Sequence, residues 1–234
     1  METIDILEAV EKTAPQRRKM SYQTYLDVAS ESKVVEWVEG EVINYMPPTM
    51  IHQDISGFLY YLLVSFTQFF KLGKVQQAPF EVKLWPDGPS REPDILFISA
   101  ENLPKLDDKR FNGGPDLLIE IISPSSASED RVRKFTQYEQ AGVREYWLID
   151  PRPRQQQADF YLLGQDGLYQ SAPITDDGRY HSVVLSGFWL NLEWLWSRQL
   201  PNPQLAFAEI MVSNETLLPE VKTIYQALFE HLSK

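Results

Sequence analysis

The chain contains no cysteine in 234 residues. That removes disulfides, thiolate zinc sites and a cysteine nucleophile, and it fits a cytoplasmic protein. Other absences narrow the class further. The N-terminal stretch METIDILEAVEKTAPQRRKM lacks the apolar core of a signal peptide. The most hydrophobic segment, Met50 to Leu72, is interrupted by His52, Gln53, Asp54, Gln68 and Lys71. It falls short of the roughly 20 consecutive apolar residues that a membrane span needs, so it reads as a core helix. There is no internal repeat and no low-complexity tract. Basic charge is scarce: 22 Lys and Arg stand against 33 Asp and Glu, a formal net charge of -11. Proteins that grip nucleic acid through its phosphates usually show a basic surface. The balance therefore counts against simple nucleic-acid binding, although a local patch or a bound divalent cation reverses the sign at one site.

What is present supports a folded α/β protein. Apolar residues make up 43% of the chain, and 6 Trp, 11 Tyr and 12 Phe argue against disorder. Residues 1–19 read as a polar arm ending in the basic run Arg17-Arg18-Lys19, a solvated tail. Residues 20–200 read as one domain, and 201–234 as a linker and a C-terminal helix. Ser21 caps a short helix from Tyr22 to about Ser30. Glu39-Gly40 is a turn signal between two short strands spanning Val34 to Tyr45, a hairpin. Ile51, Ile55, Phe58, Leu59, Leu62, Phe66 and Phe69 recur at helical spacing, with Gly73 as the stop signal. Strands are expected over Val75–Leu84, Pro93–Ile98, Leu117–Ile122 and Glu145–Ile149, with a loop over 99–115. Ser126 and Glu129 have capping-box spacing and open a helix through about Ala141, closed by Gly142. A meander follows through Phe160–Leu163, Gly167–Tyr169 and Val183–Leu185. Pro219 starts a terminal helix whose apolar stripe is Val221, Ile224, Tyr225, Leu228 and Leu232. That stripe either folds back on the domain or serves a homodimer. Strand, helix and strand from Leu117 to Ile149 make a βαβ unit, and hence an α/β domain with a mixed central sheet.

One residue is out of place in this pattern. Glu120 lies inside Leu117-Leu118-Ile119-Glu120-Ile121-Ile122, a run apolar enough to be buried on both faces. An unpaired carboxylate there costs several kcal/mol or more, so a cation, a metal ion or a proton must neutralise it. Asp94 opens a neighbouring apolar strand, and the two acids converge if their strands are adjacent. Such hard oxygen ligands suit Mg²⁺ or Mn²⁺ better than zinc, and the backbone carbonyl of Ile121 could supply a further ligand. Lys134, in the helix after the Glu120 strand, could aim at the same point and stabilise charge on phosphate oxygens.

The phrases Glu36-Trp-Val-Glu-Gly-Glu41, Pro47-Pro-Thr-Met-Ile-His52, Pro93-Asp94-Ile95, Pro115-Asp-Leu-Leu-Ile-Glu120-Ile-Ile-Ser-Pro124, Asp130-Arg-Val-Arg-Lys134 and Tyr138 through Pro151 resemble the Uma-type putative restriction endonuclease family, within the PD-(D/E)XK nucleases. The resemblance covers about residues 20–200. It implies a restriction-endonuclease-like mixed central sheet flanked by helices, here with an added hairpin and a C-terminal helix. It also implies metal-dependent hydrolysis of DNA, with Asp94 and Glu120 as metal ligands. The wider nuclease pattern would place a Lys at position 122, where this chain has Ile122, and in the Uma-type pattern Lys134 takes that role. Glu41 and His52 also match family positions and join the candidate catalytic set.

Plainer readings stand beside these. Glu120 could pair with a basic residue for structure alone, Lys134 could be a solvated helix lysine, and His52 a locally bonded helix-start residue. Asp116 and Asp150 read as turn residues, and the aromatic stretch Phe188 to Trp196 as packing. At the level of function, the rival to a Mg²⁺-dependent endonuclease is a non-catalytic binding or scaffold protein on the same fold. A third possibility is a nuclease whose basic DNA surface comes from a partner.

Overall fold

The computed structural model describes residues 15–28, 35–124 and 126–234. The expectations for residues 1–14, for the first helix beyond residue 28 and for Val34 lie outside the described residues. The elements run β1 (Gln16–Lys19), α1 (Tyr22–Val28), β2 (Val35–Val38), β3 (Glu41–Asn44), α2 (Met50–Phe70), β4 (Gly73–Gln77), β5 (Glu81–Lys83), β6 (Ser90–Arg91) and β7 (Ile95–Ser99). After them come β8 (Arg110–Asn112), β9 (Leu117–Ile121), a π-helical turn (Glu129–Lys134) that continues as α3 (Phe135–Gln140), β10 (Glu145–Asp150), β11 (Gln157–Leu163) and β12 (Tyr169–Ser171). The chain finishes with β13 (Arg179–His181), β14 (Trp189–Asn191), α4 (Leu192–Trp196), α5 (Pro203–Ser213) and α6 (Pro219–Leu232).

The expected mixed sheet is β12-β11-β10-β9-β7-β4. Its β9 and β10 are parallel neighbours joined by the α3 crossover, whereas β7 runs antiparallel to β9. Every residue of β9 and β10 is buried, because both faces of the sheet are covered. One face, with Leu117, Ile119, Ile121, Trp147 and Ile149, packs on α2 and on residues of α5. The opposite face, with Leu118, Ile122, Tyr146 and Leu148, packs against Tyr138 of α3 and against Val82 and Phe111 of a second sheet. Glu120 shares that second face by strand alternation.

The second sheet, β1-β3-β2-β6-β5-β8, absorbs the hairpin that the sequence suggested as an addition. Glu39 and Gly40 turn it with positive φ of 51° and 82°, as a two-residue hairpin turn with right-handed strand twist requires. The basic run Arg17-Arg18-Lys19 is not a tail: it is the edge strand β1, paired antiparallel with β3. Residues 110–112, read as loop, form β8 beside β5.

Several helix ends also differ from expectation. α2 is capped by Thr49, and it stops at Lys71, which takes the left-handed conformation, before Gly73 is reached. Gly73 is needed for close packing instead. A Cβ there would lie 2.0 Å from the carbonyl oxygen of Ile98, so only glycine permits this approach of β4 to β7. The Ser126–Glu129 capping box does not form. Ser126 Oγ accepts from the Ser123 amide at 3.0 Å, and the Glu129 carboxylate turns to Arg17 and Arg91. The linker expected after Pro201 is instead α5, opened by Asn202 and Pro203. Tyr225 of α6 stacks edge-on with Phe207 of α5 and Phe69 of α2, so the terminal helix folds back on its own chain. Val183–Leu185 is not a strand: the Val183 and Val184 amides donate to Glu145 and the Leu185 amide to Ser182 Oγ. Among the described residues, no helix is long and apolar enough to cross a membrane.

Candidate active site

Four elements bring residues to one pocket. β7 brings Asp94 at its start, β9 brings Glu120 and Ile121, the π-helical turn brings Asp130 and Lys134, and the first turn of α2 brings His52. Together with Glu36 of β2 they line a small cleft open to solvent. The antiparallel pairing of β7 with β9, with Ile95 opposite Ile119, places the start of one strand beside the end of the other. That register brings Asp94 next to Ile121. Asp94 Oδ2 accepts from the Ile121 amide at 2.7 Å and lies 3.2 Å from His52 Nε2.

Glu120 is 3% exposed, and its counter-charge is Lys134. Oε1 accepts from Lys134 Nζ at 2.9 Å and from the Tyr138 hydroxyl at 2.6 Å. Lys134 and Tyr138 lie one turn apart on the same helical face, so a single helix supplies both donors. The same ammonium is 3.2 Å from Glu36 Oε1 and 3.1 Å from Asp130 Oδ1. The Asp130 contact is an ion pair without hydrogen-bond alignment, because Asp130 Oδ1 has no hydrogen-bond partner. Glu36 is held in turn by Arg91 Nη1 at 2.7 Å and by the Tyr45 hydroxyl at 2.8 Å.

The charge balance follows from this crowding. Burial works to raise the Glu36 carboxyl, but Lys134 and Arg91 outweigh it and pull it down to about 2. Burial pushes Glu120 well above the usual carboxylate range, and the negative charges of Asp130, Asp94 and Glu36 add to that against the pull of Lys134. Asp130 is raised for the same leading reason, burial. Burial opposes the charged form of Lys134, yet Asp130, Glu120 and Glu36 override it and hold the ammonium well above its ordinary value. His52 is also raised: burial lowers it, but the bond to Asp94 and that residue's charge prevail. Five carboxyl groups, Glu36, Glu92, Asp94, Glu120 and Asp130, thus line the cleft with Lys134 and His52.

The structure brings Asp94, Glu120, Ile121, His52 and Lys134 together. Glu41 lies apart: its carboxylate faces Arg17 at 3.5 Å, and it does not line the cleft. Sequence reasoning did not single out Glu36, Asp130 or Arg91. Asp130 had a signal, its i,i+4 spacing to Lys134. Glu36 had a weaker one, a lone acid within Val-Glu-Trp-Val. Arg91 had none, since its partners Glu36, Glu129 and Gln137 are all distant in sequence.

Both hydrogen bonds to Asp94 land on Oδ2, and both to Glu120 on Oε1. Among the described residues the other oxygen of each has no hydrogen-bond partner, and neither is sealed from solvent. No three His, Cys, Asp or Glu side chains are grouped to hold a metal ion among the described residues. Two carboxylates, a backbone carbonyl and water nevertheless make a donor set suited to Mg²⁺, which keeps several of its waters and takes one or two carboxylates. The carboxyl groups crowded around the cleft, Glu36, Asp94, Glu120 and Asp130 among them, fit an added cation in the same way.

Comparisons with known proteins agree with this architecture. The model of the Uma2 family, described as "Putative restriction endonuclease", matches residues 22–193. Among solved structures, a putative nuclease belonging to DUF820 from Anabaena variabilis is similar, with a TM-score of 0.58 at 18% identity, covering 72% of this chain and 94% of that one. At that identity the likeness shows the fold alone. No curated protein matches the chain.

Proposed function

Because the chain belongs to the Uma2 family, we propose that it is a metal-dependent endonuclease that hydrolyses phosphodiester bonds in DNA. The observation that carries this reading is the convergence of Asp94, Glu120 and Lys134 in one solvent-open cleft. Asp94, Glu120 and the Ile121 carbonyl would hold Mg²⁺ or Mn²⁺. When bound, the cation supplies Lewis-acid chemistry, lowering the pKa of water and polarising the phosphate. The chain's own residues set the geometry. The Ile121 amide and His52 fix Asp94 through Oδ2, which leaves Oδ1 for a ligand. The Tyr138 hydroxyl fixes Glu120 through Oε1 in the same manner. Lys134 places a buried positive charge beside Glu120, where it would stabilise charge developing on phosphate oxygens.

The test is incubation of supercoiled and single-stranded DNA with the protein in Mg²⁺ or Mn²⁺, alongside Asp94→Ala. Cleavage that disappears in the variant supports the proposal. Absence of cleavage with either ion, together with no calorimetric Mn²⁺ binding, overturns it. A second reading, a non-catalytic binding or scaffold protein, is favoured by one observation: Lys134 already pairs with Glu120, Glu36 and Asp130. It predicts a fold indifferent to divalent ions.

A further inference from the structure

The exposed cations of β1 are placed by the register of the second sheet. β1, β3 and β2 are aligned so that Arg17 lies across from Ile43 and Ile43 from Glu36, while Lys19 lies across from Glu41. Residues opposite one another share a face. Arg17 and Lys19 therefore stand on the face that carries Glu36 and the cleft. Arg18 lies across from Val42, and Val42 from Trp37, on the other face, where Tyr25, Val35 and Val42 form a separate small core.

A chain of ion pairs ties the cleft-side cations to Lys134. Arg17 Nη2 is 2.7 Å from Glu129 Oε2, and Arg133 Nη1 is 4.0 Å from the same oxygen. Glu129 Oε1 is held by Arg91, Arg91 holds Glu36, and Glu36 holds Lys134. Glu129 is buried, whereas the Arg17 and Arg133 side chains remain 33% and 52% exposed. Lys19 is exposed and has no ion pair among the described residues. In a chain of net charge -11, this puts three solvent-facing cations on one surface that ion pairs connect to the cleft; Arg17 also meets Glu41 at 3.5 Å, and Arg133 lines a separate hollow with Glu39 and Asp87.

We infer that a nucleic-acid strand entering the cleft runs its phosphate backbone across the cleft-side face of β1, over Arg17, Lys19 and Arg133. This rests on the nuclease reading and adds the docking surface to it. Each guanidinium offers donors beyond those used by Glu129 and, for Arg17, by Glu41, and phosphate contacts of this kind position a substrate without reading its sequence. A divalent cation at Asp94 and Glu120 would neutralise the acids that otherwise repel the strand.

The experiment is anisotropy titration of a labelled DNA duplex in Ca²⁺ over a range of salt, with the wild type, Lys19→Ala/Arg133→Ala and Arg18→Ala. Thermal melts check that each variant is folded. The double variant is expected to bind roughly tenfold or more weakly at low salt. Its slope of log affinity against log salt should fall by about two, at roughly 0.9 per phosphate contact. Arg18→Ala, a charge loss on the opposite face, should change affinity by less than about twofold. If Arg18→Ala costs as much as the double variant, only net charge matters and the inference fails. If the double variant binds and cuts like wild type, the inference fails and the nuclease reading stands. Unchanged affinity with lost solubility would mean that the cations only guard a sheet edge, again overturning it. If the wild type neither binds nor cuts DNA, both readings fall.

Discussion

Lys134 Nζ lies 2.9 Å from Glu120 Oε1, with both side chains nearly sealed from solvent. The ammonium is shared among three carboxylates, so it is the counter-charge of the whole cluster. Lys134→Met keeps the volume and removes the charge. It leaves buried carboxylates uncompensated, a loss of about 3–5 kcal/mol of stability. The double variant Lys134→Met/Glu120→Gln should recover part of that. A urea-denaturation cycle measures the coupling, and additive losses would show that the pair does not interact.

Asp94→Ala separates metal binding from folding. The side chain accepts one backbone amide and contacts His52, so its removal should cost about 1–2 kcal/mol. The fold survives, while calorimetric Mn²⁺ binding should fall below detection. Mn²⁺ affinity equal to wild type would remove Asp94 from the site.

Acid stability should reveal Glu36. Its pKa lies at about 2 in the folded chain against an ordinary 4.5. A carboxyl depressed by folding contributes stability that is fully present above the unfolded value and is lost as pH falls through the folded one. The difference corresponds to at most about 3 kcal/mol. Wild type should therefore lose stability between about pH 4.5 and about pH 2 through this group. Glu36→Gln, already weakened at neutral pH because Arg91 and Lys134 lose a partner, should lose less over the same interval. Parallel melting curves for the two proteins would refute the assignment.

The parts of this site that were legible from sequence share a local cause. Glu120 announced itself because a carboxylate interrupted a buried strand, and Lys134 because it sits in the helix that follows. Asp94 was visible as the acid opening the next apolar strand. What was hidden depends on partners far along the chain or on faces without apolar alternation. β1 is Gln-Arg-Arg-Lys, exposed at every position, and only pairing with β3 makes it a strand. Arg91, fully buried, is explained only by Glu36, Glu129 and Gln137, none of them near it in sequence. The capping-box spacing of Ser126 and Glu129 misled because Arg17 and Arg91 compete for the glutamate more strongly than a local amide does.

Glu145 shows how the same fold buries a carboxylate without a cation, and it supplies the last prediction. It has no exposed surface and accepts five hydrogen bonds: from Trp147 Nε1 at 2.7 Å, the Tyr180 hydroxyl at 3.0 Å, Ser182 Oγ at 3.0 Å, and the Val183 and Val184 amides at 2.9 and 2.8 Å. This explains why Val183–Leu185, apolar and opened by two β-branched residues, is not a strand: the Val183 and Val184 amides are committed to the carboxylate and the Leu185 amide to Ser182 Oγ. Glu145→Gln replaces one acceptor oxygen with an NH₂ group that must face donors. In place of Oε2, it would orphan the Ser182 hydroxyl and two amides. Turned the other way, it would meet Trp147 and Tyr180. Either choice should cost about 2–4 kcal/mol, since unmade bonds to a buried charged acceptor carry the full desolvation penalty. Hydrogen exchange localises the effect. Protection at the Val183 and Val184 amides should fall more than in β9, whose ladder bonds to β10 are untouched. Equal loss in both places would mean that Glu145 supports the domain globally and does not hold this loop in particular.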